Sequence, residues 1–260
     1  MADTRTAVTS KPIWVDLSST DAAGSRAFYA KLFGWTVEAS PDPQYGGYAI
    51  AKIGDRNVAG IGPAQAPDQP SAWSVYIGSQ DAEATARKVE AAGGTVVVAP
   101  FDVADQGRMA VFQDPSGAFI SAWQPRSMAG SELMGVANTY GWAELNSRGI
   151  DTAIPFYQEV FGWTTKQSPM SEDGAMVYTE FQLGGQSIAG GMDMNPMVPA
   201  EVPSYWLAYF TVPDVDASYR KAIDGGAKEM LAPQDFSGGR FAILSDPQGA
   251  AFGLLKMQGA

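Results

Sequence analysis

A duplicated pattern of helix and strand constrains this sequence more than any other feature. Residues 28–35 (FYAKLFGW) recur as residues 156–163 (FYQEVFGW). In both copies the apolar side chains recur at intervals of three and four, which predicts an amphipathic helix. The glycine stands where a helix ends in the left-handed conformation, and the tryptophan after it begins an extended run. A repeat of this kind indicates an internal duplication, so we expect two halves with one fold.

The sequences around the two helices match as well. The tripeptide at residues 14–16 (WVD) precedes the first helix as residues 142–144 (WAE) precede the second. The turn sequence Asp-Pro-x-Gly at residues 114–117 recurs at residues 246–249. We therefore predict four segments: a loose N-terminal tail (residues 1–10), a first module (11–125), a linker (126–139) and a second module (140–258).

Each module also repeats a shorter order of elements. Residues 12–62 predict a strand, a helix and about three strands, and residues 71–124 predict the same order. The second module follows the same plan, so the chain has four βαβββ units. Few helices and many short strands predict an α+β fold. Asp114 and Asp246 begin the Asp-Pro-x-Gly sequences, and we interpret both as turn formers.

The composition argues against several kinds of partner. With 28 acidic and 17 basic residues the net charge is -11, which disfavours binding to nucleic acid or anionic lipid. No apolar run is long enough to span a membrane, and the N-terminus lacks the pattern of a signal peptide. Cysteine is absent, so disulfides and thiol chemistry are excluded. We predict a cytoplasmic protein, monomer or homodimer, whose two modules form a pseudo-dimer within one chain.

The helix ends, the late Asp-Pro-x-Gly turns and the paired βαβββ units together resemble the vicinal oxygen chelate superfamily. This superfamily includes glyoxalase I, bleomycin resistance proteins and extradiol dioxygenases. The resemblance covers nearly the whole chain and is greatest to the tandem glyoxalase-like proteins of actinobacteria that are provisionally named hydroxylases. It implies two cupped, mixed β-sheets with a ligand or a metal ion inside each cup. Activity does not follow, because the fold serves many reactions and also binding proteins.

The resemblance also implies where metal ligands would stand, and this sequence has other residues there. Three pairs of matching positions carry Trp14 and Trp142, Ser74 and Leu207, and Ser121 and Gly253. The strands expected to supply a further acidic ligand, residues 57–61 and 187–191, contain no acid. Histidine, the usual nitrogen ligand, is absent from the whole chain. We predict no metal site and no cofactor, and the lack of histidine also excludes Ser–His and Cys–His nucleophile pairs.

The residues at these positions suggest a different kind of site. Alternate side chains of a strand share a face, so a tryptophan that points into a cup is accompanied by the residues two and four positions later. An indole suits a flat apolar ligand, and a neighbouring carboxylate can orient a hydroxyl or accept a proton. The predicted carboxylates are Asp16 and Glu144, and the predicted ligand-binding residues are Trp14, Ser18, Ser74, Tyr76, Ser121, Trp123, Trp142, Asn146 and Tyr209. The alternative is that the indoles are core residues and the carboxylates are solvated or paired with Arg or Lys.

Two classes of function remain open. One is a metal-independent protein that binds a small, hydrophobic, aromatic or polyketide-like molecule for sequestration, transport or resistance. The other is a metal-independent enzyme, an isomerase, lyase or hydroxylase-type accessory, with Asp16 or Glu144 as general base. The sequence favours binding, and a metal-dependent glyoxalase or dioxygenase is the least favoured reading.

Overall fold

The computed structural model describes residues 10–170, 174, 176–195 and 198–259. The predicted tail therefore lies almost entirely outside the described residues. The elements of the first module are β1 (Pro12–Ser19), α1 (Ala22–Phe33), β2 (Thr36–Ala39), β3 (Ala49–Ile53), β4 (Arg56–Pro63), β5 (Ala72–Gly78), α2 (Ala82–Ala91), β6 (Thr95–Val103), β7 (Gly107–Gln113) and β8 (Phe119–Pro125).

The second module has the same order of elements. They are β9 (Thr139–Ser147), α3 (Ile150–Phe161), β10 (Thr164–Pro169), β11 (Val177–Leu183), β12 (Gln186–Asp193), β13 (Tyr205–Thr211), α4 (Val215–Asp224), β14 (Lys228–Phe236), β15 (Gly239–Ser245) and β16 (Ala251–Met257). The predicted duplication and the α+β class are confirmed. None of the helices in the described ranges has the length and hydrophobicity that crossing a membrane requires.

The repeated helix ends as its sequence predicts. In α1 the C-terminal Gly34 has φ 75, and its N–H bonds to the carbonyl of Ala30. Gly162 ends α3 in the same way, with φ 72. A residue with a side chain is strained at such a φ, so glycine sets the point at which the chain leaves the helix for the next strand.

The strands form two eight-stranded mixed sheets, one from each module. Their orders are β2-β3-β4-β1-β5-β8-β7-β6 and β10-β11-β12-β9-β13-β16-β15-β14. The sequence left open whether each cup pairs units within one module or across both modules. The strand order assigns each sheet to one module. β1 runs parallel to β4 with Asp16 opposite Gly60, and β9 runs parallel to β12 with Glu144 opposite Gly190.

The contacts of the chain define two compact units that each combine segments of both modules. The α1–α4 unit comprises residues 14–74, 130–142 and 207–259. The α2–α3 unit comprises residues 10–13, 75–129 and the described residues between 143 and 206. Each unit has an aromatic core of its own.

A buried tyrosine links the two modules within the α1–α4 unit. Tyr29 of α1 donates its hydroxyl hydrogen to Asp246 Oδ2 at 3.0 Å and accepts from Trp73 Nε1 at 2.9 Å. The other carboxylate oxygen of Asp246 accepts from the backbone N–H groups of Gln248 and Ala250 at 2.9 Å each. The aspartate therefore forms its own turn, as predicted, and also anchors the helix of the other module, which the sequence did not predict.

The α2–α3 unit repeats this arrangement. Tyr157 of α3 donates to Asp114 Oδ2 at 2.7 Å and accepts from Trp206 Nε1 at 2.8 Å. Burial, and next the charge of the aspartate, raise the pKa of both Tyr29 and Tyr157 well above the usual range. Both hydroxyls consequently keep their protons and act as donors to the carboxylates.

We expect Tyr29→Phe and Tyr157→Phe each to lower the free energy of unfolding by about 1–3 kcal/mol, because each leaves a buried indole N–H and a carboxylate oxygen without a partner. Urea denaturation followed by circular dichroism measures the change. Tyr219→Phe is the matched control, since the Tyr219 hydroxyl meets Glu229 at an exposed position, and it should alter stability by less than about 0.5 kcal/mol. Equal effects of all three substitutions would contradict the anchoring role.

Candidate functional site

Strand β1 presents different chemistry on its two faces. Val15 and Leu17 are fully buried on the face that packs against the helices. Trp14, Asp16 and Ser18 lie on the opposite, helix-free face, as the alternation predicts. Trp14 is only 3% exposed, whereas Asp16 and Ser18 are partly exposed. The hydroxyl oxygen of Ser18 is buried and has no hydrogen-bond partner among the described residues.

A tyrosine that the sequence analysis missed connects the predicted tryptophan and carboxylate. Trp14 Nε1 donates to the Tyr48 hydroxyl at 3.2 Å, and that hydroxyl donates to Asp16 Oδ2 at 3.1 Å. Desolvation of the Tyr48 hydroxyl, and next the charge of Asp16, raise its pKa well above the usual range. The phenol therefore stays protonated, and Asp16 is held as an acceptor.

Two glycines of β4 make room for the Tyr48 ring. A Cβ atom at Gly60 would lie 1.8 Å from the Tyr48 hydroxyl oxygen, and one at Gly62 would lie 2.8 Å from the ring. The loop that carries Tyr48 is held from α1, because Arg26 Nη1 donates to the Gly47 carbonyl at 3.2 Å. Alternating glycines opposite a tyrosine are the sequence signal by which Tyr48 could have been found.

Strand β9 has the same alternation with the exposures reversed. Ala143 and Leu145 are fully buried, and Trp142, Glu144 and Asn146 share the other face. Here the indole is partly exposed, while Glu144 is 9% and Asn146 7% exposed. The first module thus presents its carboxylate to solvent and the second its indole.

Tyr205 of β13 is a further residue that the sequence analysis missed. Burial, and next the charge of Glu144, raise its pKa. Glu144 therefore lies close enough to Tyr205 for its charge to act on the phenol. Its only sequence signal is its position just before Trp206, which corresponds to Trp73 in the first module.

The predicted residues of β5 and β8 lie mainly in the α2–α3 unit. Tyr76 (6% exposed) stands opposite Ser121 (3% exposed) in the register of the two parallel strands. Trp123 is 6% exposed, and its indole donates to the Met128 carbonyl at 2.8 Å. Ser74 belongs to the α1–α4 unit and is partly exposed.

An apolar wall surrounds Ser121 and Trp123 on the face of β6–β8 that lies away from α2. Strand register places Met109 beside Trp123 and Val111 beside Ser121, with Val98 and Phe101 on the neighbouring strand. Several of its side chains are unusually exposed for apolar residues: Val98 40%, Phe101 43% and Phe119 54%.

Tyr209, the remaining predicted residue, fills space in the α1–α4 unit. It is 4% exposed, and its ring lies over Gly253, where an added Cβ would come within 2.0 Å of the ring. In the first module the corresponding pair is Tyr76 and Ser121, so a serine side chain stands where the second module has only glycine.

A cleft of about 320 Å³ elsewhere in the α1–α4 unit contains none of these residues. It is lined by the end of α1 and the start of α4. Its two charged side chains have internal partners, since Lys221 Nζ donates to the Leu32 carbonyl at 3.0 Å and Asp214 caps α4. We therefore do not assign it a ligand.

The donor set does not fit a metal ion of the superfamily's kind. The expected ligand positions carry indole, hydroxyl, aliphatic or no side chains, and imidazole and thiolate are absent from the chain. Among residues 10–170, 174, 176–195 and 198–259 no group of three or more acidic side chains converges. A zinc, iron or manganese site needs at least three protein side chains that converge on the ion and can bind it.

Comparisons with known proteins agree with this architecture. The sequence profile of the Glyoxalase/Bleomycin resistance protein/Dioxygenase superfamily matches residues 11–121 and 139–254. The provisionally named glyoxylase CFP32 of Mycobacterium bovis is 39% identical over 250 residues, which cover 94% of each chain. The anthracycline biosynthesis protein DnrV of Streptomyces peucetius is 36% identical over 261 residues, covering 95% of this chain and 93% of DnrV.

Two solved structures share the fold at low sequence identity. The Mn(II)-bound glyoxalase from Novosphingobium aromaticivorans has a TM-score of 0.66 and 16% identity, with 95% of this chain and 82% of that chain covered. The 2,3-dioxygenase LapB from Pseudomonas sp. KL28 has a TM-score of 0.64 and 14% identity, with 95% and 91% covered.

We expect the purified protein to contain substoichiometric zinc, iron, manganese and nickel, because no three acidic ligands converge in the part of the chain that the structure describes. Elemental analysis measures the content. Addition of a chelator should leave the melting temperature unchanged, since removing an ion that does not bind the native state has no effect on stability. About one metal ion per module, with a chelator-sensitive melting temperature, would contradict this expectation.

Proposed function

Because the chain belongs to the glyoxalase/bleomycin resistance protein/dioxygenase superfamily, as its sequence predicted, we propose that it binds a small aromatic, polyketide-like molecule without a metal ion. The observation that carries this proposal is the row of indole and carboxylate on the helix-free face of β1, repeated on β9. These rows occupy the strands that hold metal ligands in the superfamily, and they place an indole and a hydrogen-bond acceptor there instead.

A separate apolar surface, within the α2–α3 unit, also supports an aromatic ligand. Phe101, Met109 and Val111 form part of the apolar wall, and Ser121 is its main polar group. Planar ligands gain most of their affinity from such surface, and a few polar groups set their orientation. The name of DnrV places that relative in the biosynthesis of anthracyclines, which are planar aromatic polyketides.

A second candidate function is metal-independent catalysis with Asp16 or Glu144 as general base. The near burial of Glu144 and its effect on the pKa of Tyr205 favour this candidate, because poorly hydrated carboxylates are typical of catalytic bases. Asp16 is the alternative base, since it is partly exposed and held in a fixed orientation.

We expect an anthracycline aglycone to quench the tryptophan fluorescence of the protein. Trp142→Ala should weaken binding by about 1–3 kcal/mol, the cost of losing an aromatic contact in a desolvated site. Trp14→Ala should weaken binding and also lower the melting temperature, because Trp14 is almost fully buried. Met134→Ala, in the exposed linker, is the matched control. Isothermal titration calorimetry measures all four proteins, and unchanged affinity in both tryptophan variants would place the site elsewhere.

Asp16→Asn and Glu144→Gln distinguish the two candidate functions. In a binding protein each should change affinity by about 0.5–1.5 kcal/mol, the contribution of one hydrogen bond. In an enzyme the substitution of the general base should lower turnover roughly 10²–10⁴-fold and leave binding nearly unchanged. Mass spectrometry of a polyketide incubated with each variant detects turnover, and conversion by the unsubstituted protein that the variants lack would favour catalysis.

A further inference from the structure

One tyrosine near the centre of each sheet meets a different partner in the two modules. In the second module Tyr209 of β13 stands opposite Gly253 of β16, and a Cβ atom at Gly253 would lie 2.0 Å from the Tyr209 ring. In the first module Tyr76 of β5 stands opposite Ser121 of β8 in the same register. A ring placed over β8 as Tyr209 lies over β16 would overlap the Cβ atom of Ser121. Ser121 therefore excludes the Tyr76 ring from the space that Tyr209 fills in the second module.

The aromatic side chains beside these pairs also differ between the modules. In the second module the ring of Phe241 contacts the ring of Tyr209 at a centroid distance of 6.3 Å and that of Phe236 at 5.7 Å. In the first module Phe101 and Phe119 are 43% and 54% exposed, and neither contacts another ring within the part of the chain that the structure describes. The second module therefore packs its rings against one another, whereas the first leaves two rings open to a ligand.

The open face of the first module is wide enough for fused rings. Phe101 on β6 and Trp123 on β8 both stand opposite Met109 of the strand between them. Neighbouring strands lie about 4.8 Å apart, so these two side chains start about 10 Å apart. The Trp123 indole lies over Gly107, where an added Cβ would come within 2.4 Å of it, and its N–H bonds to the Met128 carbonyl. The orientation of this indole is therefore fixed, and a flat polycyclic molecule can span the face beside it.

The charges of these strands disfavour a charged ligand. The structure describes β6–β8 in full, and their charged residues are Asp102 and Arg108. Both lie on the face towards α2, where Arg108 donates to Asp102 at 2.9 Å and to Glu83 at 2.6 Å. The helix-free face of these three strands carries no formal charge. A charged group would lose its hydration there without gaining a counter-ion.

We propose that the first module holds the stronger of two ligand sites, on the helix-free face of β6–β8, and that this site takes an uncharged polycyclic aromatic molecule. Ser121 keeps the site open by excluding Tyr76, while Gly253 lets Tyr209 fill the matching space in the second module. The partly exposed Trp142 then belongs to the weaker site. This inference rests on the function proposed above and adds which module binds more tightly and why.

The first experiment compares two exposed phenylalanines, one from each module. Quinizarin, an uncharged dihydroxyanthraquinone, is titrated into each protein by isothermal titration calorimetry. Phe101→Ala should weaken the tighter binding by about fivefold or more, because it removes an aromatic contact from the site. Phe236→Ala is the matched control, since Phe236 is 38% exposed and lies beside Phe241 in the second module. It should change the tighter binding by less than about twofold, and an equal or larger loss in this control would overturn the assignment to the first module.

The second experiment removes a single carbon atom at Ser121. Ser121→Ala and Ser121→Gly both lose the hydroxyl group, but only Ser121→Gly lets the Tyr76 ring enter the site. A ring that fills the site nine-tenths of the time lowers the apparent affinity about tenfold, so Ser121→Gly should bind quinizarin about tenfold more weakly than Ser121→Ala. Equal affinities would overturn the exclusion of Tyr76. If Ser121→Gly does not fold, Gly253→Ala should displace Tyr209 and strengthen the weaker binding, and unchanged weaker binding would then overturn it.

A crystal structure of Ser121→Gly without ligand tests the same exclusion directly. The Tyr76 ring should lie over residue 121, as Tyr209 lies over Gly253. A ring in the same place as in a crystal structure of Ser121→Ala would overturn the role of Ser121, whatever the ligand.

Quinizarin sulfonate, which adds one negative charge, tests the ligand class. The titration is made in high salt, which screens the repulsion from the net charge of -11. The sulfonate should bind at least about tenfold more weakly than quinizarin, because the face offers no counter-ion. Equal binding of the two probes would overturn the preference for an uncharged ligand.

These experiments separate the inference from the function on which it rests. If quinizarin does not bind the unsubstituted protein, the proposed function and the stronger site are both overturned, while the crystal structure still decides the role of Ser121. If quinizarin binds, but Phe101→Ala and Ser121→Gly behave as their controls do, the inference is overturned and the proposed function stands.

Discussion

A buried tyrosine that accepts from an indole and donates to an aspartate holds each compact unit together. Tyr29 joins α1 of the first module to the Asp246 turn of the second, and Tyr157 joins α3 to the Asp114 turn. Each aspartate also accepts hydrogen bonds from backbone N–H groups of its own turn, so the turn and the helix depend on the same carboxylate. A buried carboxylate is stable only when its acceptors are satisfied, and here backbone N–H groups and one phenol satisfy them.

The same order of hydrogen-bonded side chains occurs a third time, in a different environment. Trp14, Tyr48 and Asp16 repeat the order of indole, phenol and carboxylate, but Asp16 is partly exposed whereas Asp246 is 1% exposed. In the core this arrangement fixes the packing of a helix. On the helix-free face of β1 it fixes the orientation of a carboxylate that solvent or a ligand can reach.

The two modules differ in which residues are buried on the helix-free faces of their sheets. The helix ends at Gly34 and Gly162 and the contacts of indole, tyrosine and aspartate recur in both units. The buried and the partly exposed side chain are exchanged between β1 and β9. The indole is buried in the first module, and the carboxylate is buried in the second.

The sequence by itself determined the duplication, the α+β class, the helix ends and the family, because these depend on local periodicity, on glycine at positive φ and on repeats. It also placed Trp14, Asp16 and Ser18 on one face, since strand alternation is a local property. Only the tertiary structure brought Tyr48 to Asp16 and Tyr29 to Asp246, because these residues lie far apart in the chain and meet through sheet register and helix packing. The tertiary structure also decided how exposed each site residue is, since burial depends on which neighbours cover a side chain.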